Sequence, residues 1–204
     1  MDNLNLKKKI LYGVVIFIIS YPLFLAAWIH IKPYYGKVLG AAGVRLSALT
    51  TGVKLKTIKT GKDKTDARLE KPILTDRGLA DVQIRLYFST SSYSFNVPLT
   101  LALLAALYPF TRWKFKNIAE ALILLASVHL LYIYSYSTYQ TLVTVAKYGG
   151  QQIGLGKQLF WEFLWSFVDN MVIRFEPFLI AFYLWARSGH KTVSHQKDGQ
   201  QAQK

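Results

Sequence analysis

Residues 7–31 read KKKILYGVVIFIISYPLFLAAWIHI: three lysines, then an apolar run from Ile10 to Ile31 without Asp, Glu, Lys or Arg. A helix that crosses the ~30 Å hydrocarbon core of a bilayer needs about 20 mostly apolar residues, and this run meets that. It exceeds the ~7–15 residues usual for the apolar centre of a secretory signal. Basic residues precede both kinds of segment, but Ala26 and Ala27 before Trp28 make a poor cleavage site. The reading is an uncleaved first membrane helix. Pro22 is placed to kink it, and Trp28, Tyr34 and Tyr35 are expected at the outer interface, where amphipathic rings gather.

Three further apolar stretches come after it. One opens with Phe95-Asn96-Val97-Pro98 and covers 95–111, the next covers 118–140 through His129, and the last covers 159–187. The expected fold class is an α-helical polytopic membrane protein: four transmembrane helices with a small β-containing extracytoplasmic domain at 32–94, between the first two helices. Residues 1–9 are read as a cytoplasmic tail, 112–117 as a cytoplasmic loop, 141–158 as an extracytoplasmic loop and 188–204 as a disordered cytoplasmic tail.

The bulk composition fits only if charge and hydrophobicity are segregated. The 204 residues are 52% hydrophobic with a net charge of +14, yet the mean hydropathy is +0.21. Lys7, Lys8 and Lys9, then Arg112, Lys114 and Lys116, then Arg187, Lys191, Lys197 and Lys204 fall on one side of a four-helix arrangement. The opposite short loop has only Lys147 and Lys157, so both termini are assigned to the cytoplasm. Topology and anionic lipid thus account for the charge. With no basic helix, RNA-binding signature or zinc-finger spacing, nucleic acid is not expected as a partner. Absence of Cys removes disulfides, thiolate metal sites and thiol nucleophiles.

Within 32–94, residues 36–50 carry apolar residues at helical spacing and suggest a short amphipathic helix on the outer surface. A small antiparallel sheet should come next. Residues 53–56 alternate, 61–64 read as a turn, and 82–88 are apolar at every second position. Residues 68–74 suit a middle strand that Pro72 confines to a sheet edge or end. About 40 residues bury little core of their own, so the sheet is expected to lean on the helices or on a partner.

Ionisable side chains inside a bilayer cost roughly 2.5–3.5 kcal/mol each, so each calls for a reason. Glu162, Asp169 and Glu176 recur every seventh residue and are expected to share a helix face that drifts ~20° per step. Arg174 stands four residues after Asn170, on another face, and Pro177 weakens the ladder beside Glu176. At ~1.5 Å per residue, Arg174 and Glu176 sit ~17–20 Å from the cytoplasmic boundary and His129 ~18 Å. His129, Arg174 and Glu176 are therefore the leading intramembrane polar candidates, with Glu162, Asp169 and Asn170 secondary. Two readings stay open: a functional polar site, or buried pairs that only fix helix packing. Tyr132, Tyr134, Tyr136 and Tyr139, alternating with Ser135 and Ser137, read with Trp28 as interface aromatics; a sugar- or peptide-binding surface is the other possibility.

Enzyme signatures are missing. No phosphate-cradling glycine loop, no His pair at i and i+4 and no Gly-x-Ser-x-Gly elbow occurs, so no catalytic residue, metal site or cofactor is assigned.

Four stretches carry a resemblance: residues 21–28 (YPLFLAAW), residues 93–99 (YSFNVPL), the aromatic and polar third helix, and Arg174-Phe175-Glu176-Pro177 leading into 179–185. Over about residues 10–187 the chain resembles the exosortase H-associated membrane proteins, bacterial inner-membrane proteins encoded beside an exosortase. The resemblance implies a non-enzymatic accessory of a protein-sorting or envelope-export system, with an exosortase as membrane partner. It does not imply the exosortase itself, whose chemistry uses a Cys nucleophile. The alternative is a small transporter or channel subunit using His129, Arg174 and Glu176, which with four helices would need a homo-oligomer. An envelope sensor signalling through the C-terminal tail is a third reading.

Overall fold

The computed structural model describes residues 6–75, 78–111, 115–149 and 154–201. Arg112 and Lys114 of the expected 112–117 loop, and residues 150–153 of the expected 141–158 loop, lie outside the described residues.

Helix α1 (Leu6–Thr51) is 46 residues long. The span expected at 10–31 and the amphipathic helix expected at 36–50 are one element, helical through both Pro22 and Pro33. Its stop signal comes only at Gly52, whose φ of 65° is the left-handed conformation that favours glycine. There the Val53 N–H returns to the Ala48 carbonyl at 3.1 Å and closes the last turn. At ~1.5 Å per residue α1 is ~69 Å long, more than twice the ~30 Å of a bilayer core.

Next comes a three-stranded antiparallel meander: β1 (Lys54–Thr60), β2 (Lys64–Thr75) and β3 (Gly78–Ser89), in that spatial order. The expected turn at 61–64 closes the first hairpin, with Gly61 N–H donating to the Lys64 carbonyl at 2.8 Å. The strand carrying Pro72 was expected to be a middle strand with the proline at a sheet edge or end, and β2 is the middle strand with Pro72 near its end. There β1 pairs with β2 only as far as Lys54↔Glu70, so beyond that point β2 has one open side where a missing N–H is harmless.

The remaining elements are α2 (Thr90–Ser94), α3 (Asn96–Leu107), α4 (Phe115–Gly149), α5 (Leu155–Phe167), a π-helical turn (Val168–Val172) and α6 (Ile173–Gln201). Among the described residues two helices, rather than four, are long and apolar enough to cross a membrane: Leu6–Thr51 and Phe115–Tyr148. Helix α3 has 12 residues, about 18 Å, too short for the core alone. The apolar part of α6 is hemmed in by Arg174, Glu176 and Arg187. Helix α6 continues past Arg187 to Gln201, over residues where a disordered tail was expected.

The chain divides into two compact units. The first comprises Met1–Trp28, Asn96–Leu125 and Phe175–Lys204. Its buried residues include Ala102, Leu104, Ala121, Leu125, Ala181 and Leu184. Gly13 makes a close approach there: a Cβ would stand 2.9 Å from the Ala106 carbonyl oxygen. Glu120 accepts hydrogen bonds from the Tyr183 hydroxyl at 3.1 Å and from Arg187.

The second unit comprises Ile29–Phe95 and Ala126–Arg174. The sheet lays Ala67, Leu69, Ile73, Val82, Ile84, Leu86 and Phe88 against Val44, Ala48, Tyr132 and Ile133. The expected reliance of the sheet on helices is thus met by α1 and α4. Each Leu or Ile fully buried on this face contributes about 1.5–3 kcal/mol. Close contact requires small residues on α1: a Cβ at Gly36 would lie 2.2 Å from Thr90 Oγ1, and one at Gly43 would lie 2.5 Å from Ile133 Cγ2.

Candidate functional site

Two polar centres stand out, one in each unit. In the second unit, His129 is fully buried, and its Nδ1 lies 2.7 Å from the Tyr35 hydroxyl. Tyr35 occupies α1 and His129 occupies α4, so the pair ties two helices together. Tyr93, the one fully buried tyrosine among the described residues, packs edge-on to the His129 ring at 5.5 Å and tilts against Tyr132 at 5.6 Å. Burial pushes the Tyr93 hydroxyl up to about 12, with Thr90 working in the opposite direction.

The column continues along α4. His129, Tyr132, Tyr136 and Tyr139 recur at spacings of three and four, which places them on one helix face. Tyr132 and Tyr136 stack at 6.4 Å, Tyr136 donates to the Tyr87 carbonyl at 3.0 Å, and Tyr139 stacks on Trp165 at 5.3 Å. Asp169, half-buried in the π-helical turn, stands beside the Tyr132 hydroxyl. Within this unit Tyr132 is 7% exposed, and Tyr136 and Tyr139 are half-buried. Trp28 is buried as well.

In the first unit, Glu176 is 1% exposed and accepts a hydrogen bond from the Asn96 side-chain amide at 3.3 Å. Asn96, itself 1% exposed, is the first residue of α3, and Glu176 precedes Pro177 inside α6. His129 and Glu176, the leading polar candidates, are both buried, and each has a hydrogen-bond partner within its own unit, Tyr35 and Asn96 respectively.

No protein-family model, curated protein or solved structure matches this chain.

The other sequence candidates are placed individually. Arg174, Glu162 and Asn170 are exposed, and the Asn170 amide donates back to the Ser166 carbonyl at 2.9 Å. The seven-residue face expected for Glu162, Asp169 and Glu176 does not persist, because the π-helical turn takes up an extra residue and rotates the rest of the helix by about 100°. Burial reflects this, running from exposed Glu162 through half-buried Asp169 to buried Glu176. Among the described residues no three His, Cys, Asp or Glu side chains come together as a metal ion would need.

Sequence reasoning missed three partners: Tyr35, Tyr93 and Asn96. Asn96 had a signal, a lone amide at the mouth of an apolar stretch. Sequence reasoning also missed a latch at Asp63. Its carboxylate accepts from Lys32 at 2.8 Å, the Ser89 hydroxyl at 2.6 Å, and the Ser91 hydroxyl and N–H at 2.7 and 3.0 Å. Partial burial works to raise the Asp63 pKa, but Lys32 and the two serines outweigh it and hold the carboxyl well below the usual carboxylate range. The Ser91 N–H is an orphan donor of α2's first turn, so the hairpin tip caps a helix that lacks a side-chain cap of its own.

Proposed function

We propose that this chain is a multi-pass inner-membrane protein with both termini in the cytoplasm, acting without catalysis as an accessory of an exosortase-type protein-sorting or envelope-export system. The observation that carries the membrane part is the apolar surface of α1. Only 6% of its most apolar 18-residue window is buried by the rest of the protein. Ile18, Ile19 and Leu23 are 57–65% exposed, and in water such a surface would drive association. Lipid covers it without penalty. In α6, Phe178, Leu179 and Phe182 are likewise exposed, which supports a further span at 159–187 beside those at 10–31, 95–111 and 118–140. The accessory role rests on the resembling stretches around Trp28, Asn96 and Glu176. The basic sheet module would then stand on the far side of the membrane from the termini. Detergent-solubilised chain from cells that also express an exosortase should bring the exosortase with it; recovery of the chain alone overturns this role.

A second reading is favoured by one observation. A buried carboxylate on Asn96, between a π-helical turn and Pro177, is where a small oligomeric transporter or channel would place a polar step. That reading requires Glu176→Gln to abolish solute or ion flux in proteoliposomes; unchanged flux removes it.

A further inference from the structure

The sheet has a second face that no helix covers among the described residues. Arg68, Gln83, Arg85 and Tyr87 alternate on it with the buried residues of β2 and β3. Register sets Thr57, Arg68 and Arg85 side by side across the three strands. Two guanidinium stems thus stand directly opposite each other, ~5 Å apart at their Cβ atoms, an arrangement that repels unless something anionic lies between. Arg85 is partly answered by Asp66, whose carboxylate it holds through Nε at 3.1 Å, and Lys56 by Glu70 at 2.9 Å. Arg68 feels the Asp66 charge but forms no ion pair or hydrogen bond among the described residues.

These residues line an open cleft of about 450 Å³, with Lys56, Arg68 and Arg85 against one lining carboxylate, Glu70. Gln83 and Thr57 add amide and hydroxyl groups to its walls. Leu69 and Ile84 reach it only through their backbone, since their side chains are buried on the opposite face. The cleft therefore offers no apolar shelf for an acyl chain and no aromatic lining on which a sugar or a base would stack. What it does offer is a forked guanidinium suited to a carboxylate, beside groups that pair with peptide amides.

We propose that this cleft binds an acidic, hydrophilic peptide segment of a partner protein, with Arg68 taking a carboxylate and Arg85 and Lys56 sharing the remaining charge. The inference stands apart from the membrane reading, because the cleft is complete within the sheet. The test uses full-length chain in detergent micelles and a fluorescent peptide of alternating Glu and Ser, read by anisotropy. Arg68→Gln should weaken binding about tenfold or more, while Lys37→Gln, an exposed cation on α1, should change it by less than about twofold. Arg68→Lys should fall between wild type and Arg68→Gln, because it keeps the charge and loses the fork. The thermal midpoint of Arg68→Gln should equal or exceed that of wild type, since one half of a like-charge pair is gone. Equal binding of a Gln-Ser peptide, equal loss in the Arg68→Gln and Lys37→Gln proteins, or preference for an oligogalacturonate or phosphatidylglycerol vesicles would each overturn the proposal.

Discussion

At the scale of single residues, two hydrogen-bonding groups carry measurable consequences, the Tyr35 hydroxyl and the Asp63 carboxylate. The Tyr35 hydroxyl answers His129 with 2.7 Å between the two atoms. Tyr35→Phe keeps the ring and removes the hydroxyl, so it should lower stability by about 1–2 kcal/mol in chemical unfolding. Tyr34→Phe, at a site 75% exposed, should leave it unchanged. Asp63 makes a pH-dependent contribution. Its folded pKa is depressed, so its stabilisation is complete above the unfolded value of about 3.9 and is lost as pH falls through the folded pKa. Wild-type stability should therefore drop more steeply than that of Asp63→Asn below about pH 4, and the two should run parallel from pH 5 to 8. A wild-type curve parallel to that of Asp63→Asn down to pH 2 would remove the latch. His129 and Glu176 were legible from sequence because charge-bearing groups in apolar runs call for partners. Tyr35 and Asn96 were not, because they lie 94 and 80 residues from the groups they satisfy, and only tertiary packing brings them there.

At the scale of elements, α1 carries the largest surprise. Its start is plain in the lysine triplet and the apolar run behind it. Its length was hidden because Pro33 and the glycines at 36, 40 and 43 resemble a break, whereas the helix runs through Pro33 and the glycines face close neighbours in Thr90, Thr65 and Ile133. Gly36 is the sharpest case: a Cβ would meet Thr90, which is 1% exposed and has no room to retreat. Gly36→Ala should destabilise the second unit by about 1–3 kcal/mol, and adding Thr90→Ser should recover part of that. Additive losses in that cycle would mean the contact is not the cause. The strand at 82–88 was legible from its alternation, a period-two pattern that survives any packing partner. The π-helical turn left no trace in composition, and it alone undoes the seven-residue face read for Glu162, Asp169 and Glu176.

At the scale of the molecule, the expectation of four spans meets a structure in which two helices satisfy length and apolarity by themselves. Helix α3 is too short to cross alone, so a four-span topology requires flanking residues, or a bilayer thinned beside it, to complete the crossing. The absence of Cys makes the arrangement directly measurable, because any introduced thiol is the only one in the chain. Lys8 precedes the apolar run and Lys62 tips the first hairpin, and both are exposed. The decisive measurement is labelling of Lys8→Cys and Lys62→Cys variants in intact spheroplasts with a membrane-impermeant maleimide, before and after permeabilisation. The account predicts that Lys62→Cys is labelled in intact spheroplasts and Lys8→Cys only once they are opened. Labelling of both in intact spheroplasts, or of neither, would contradict a first helix that crosses the membrane with its N-terminus inside.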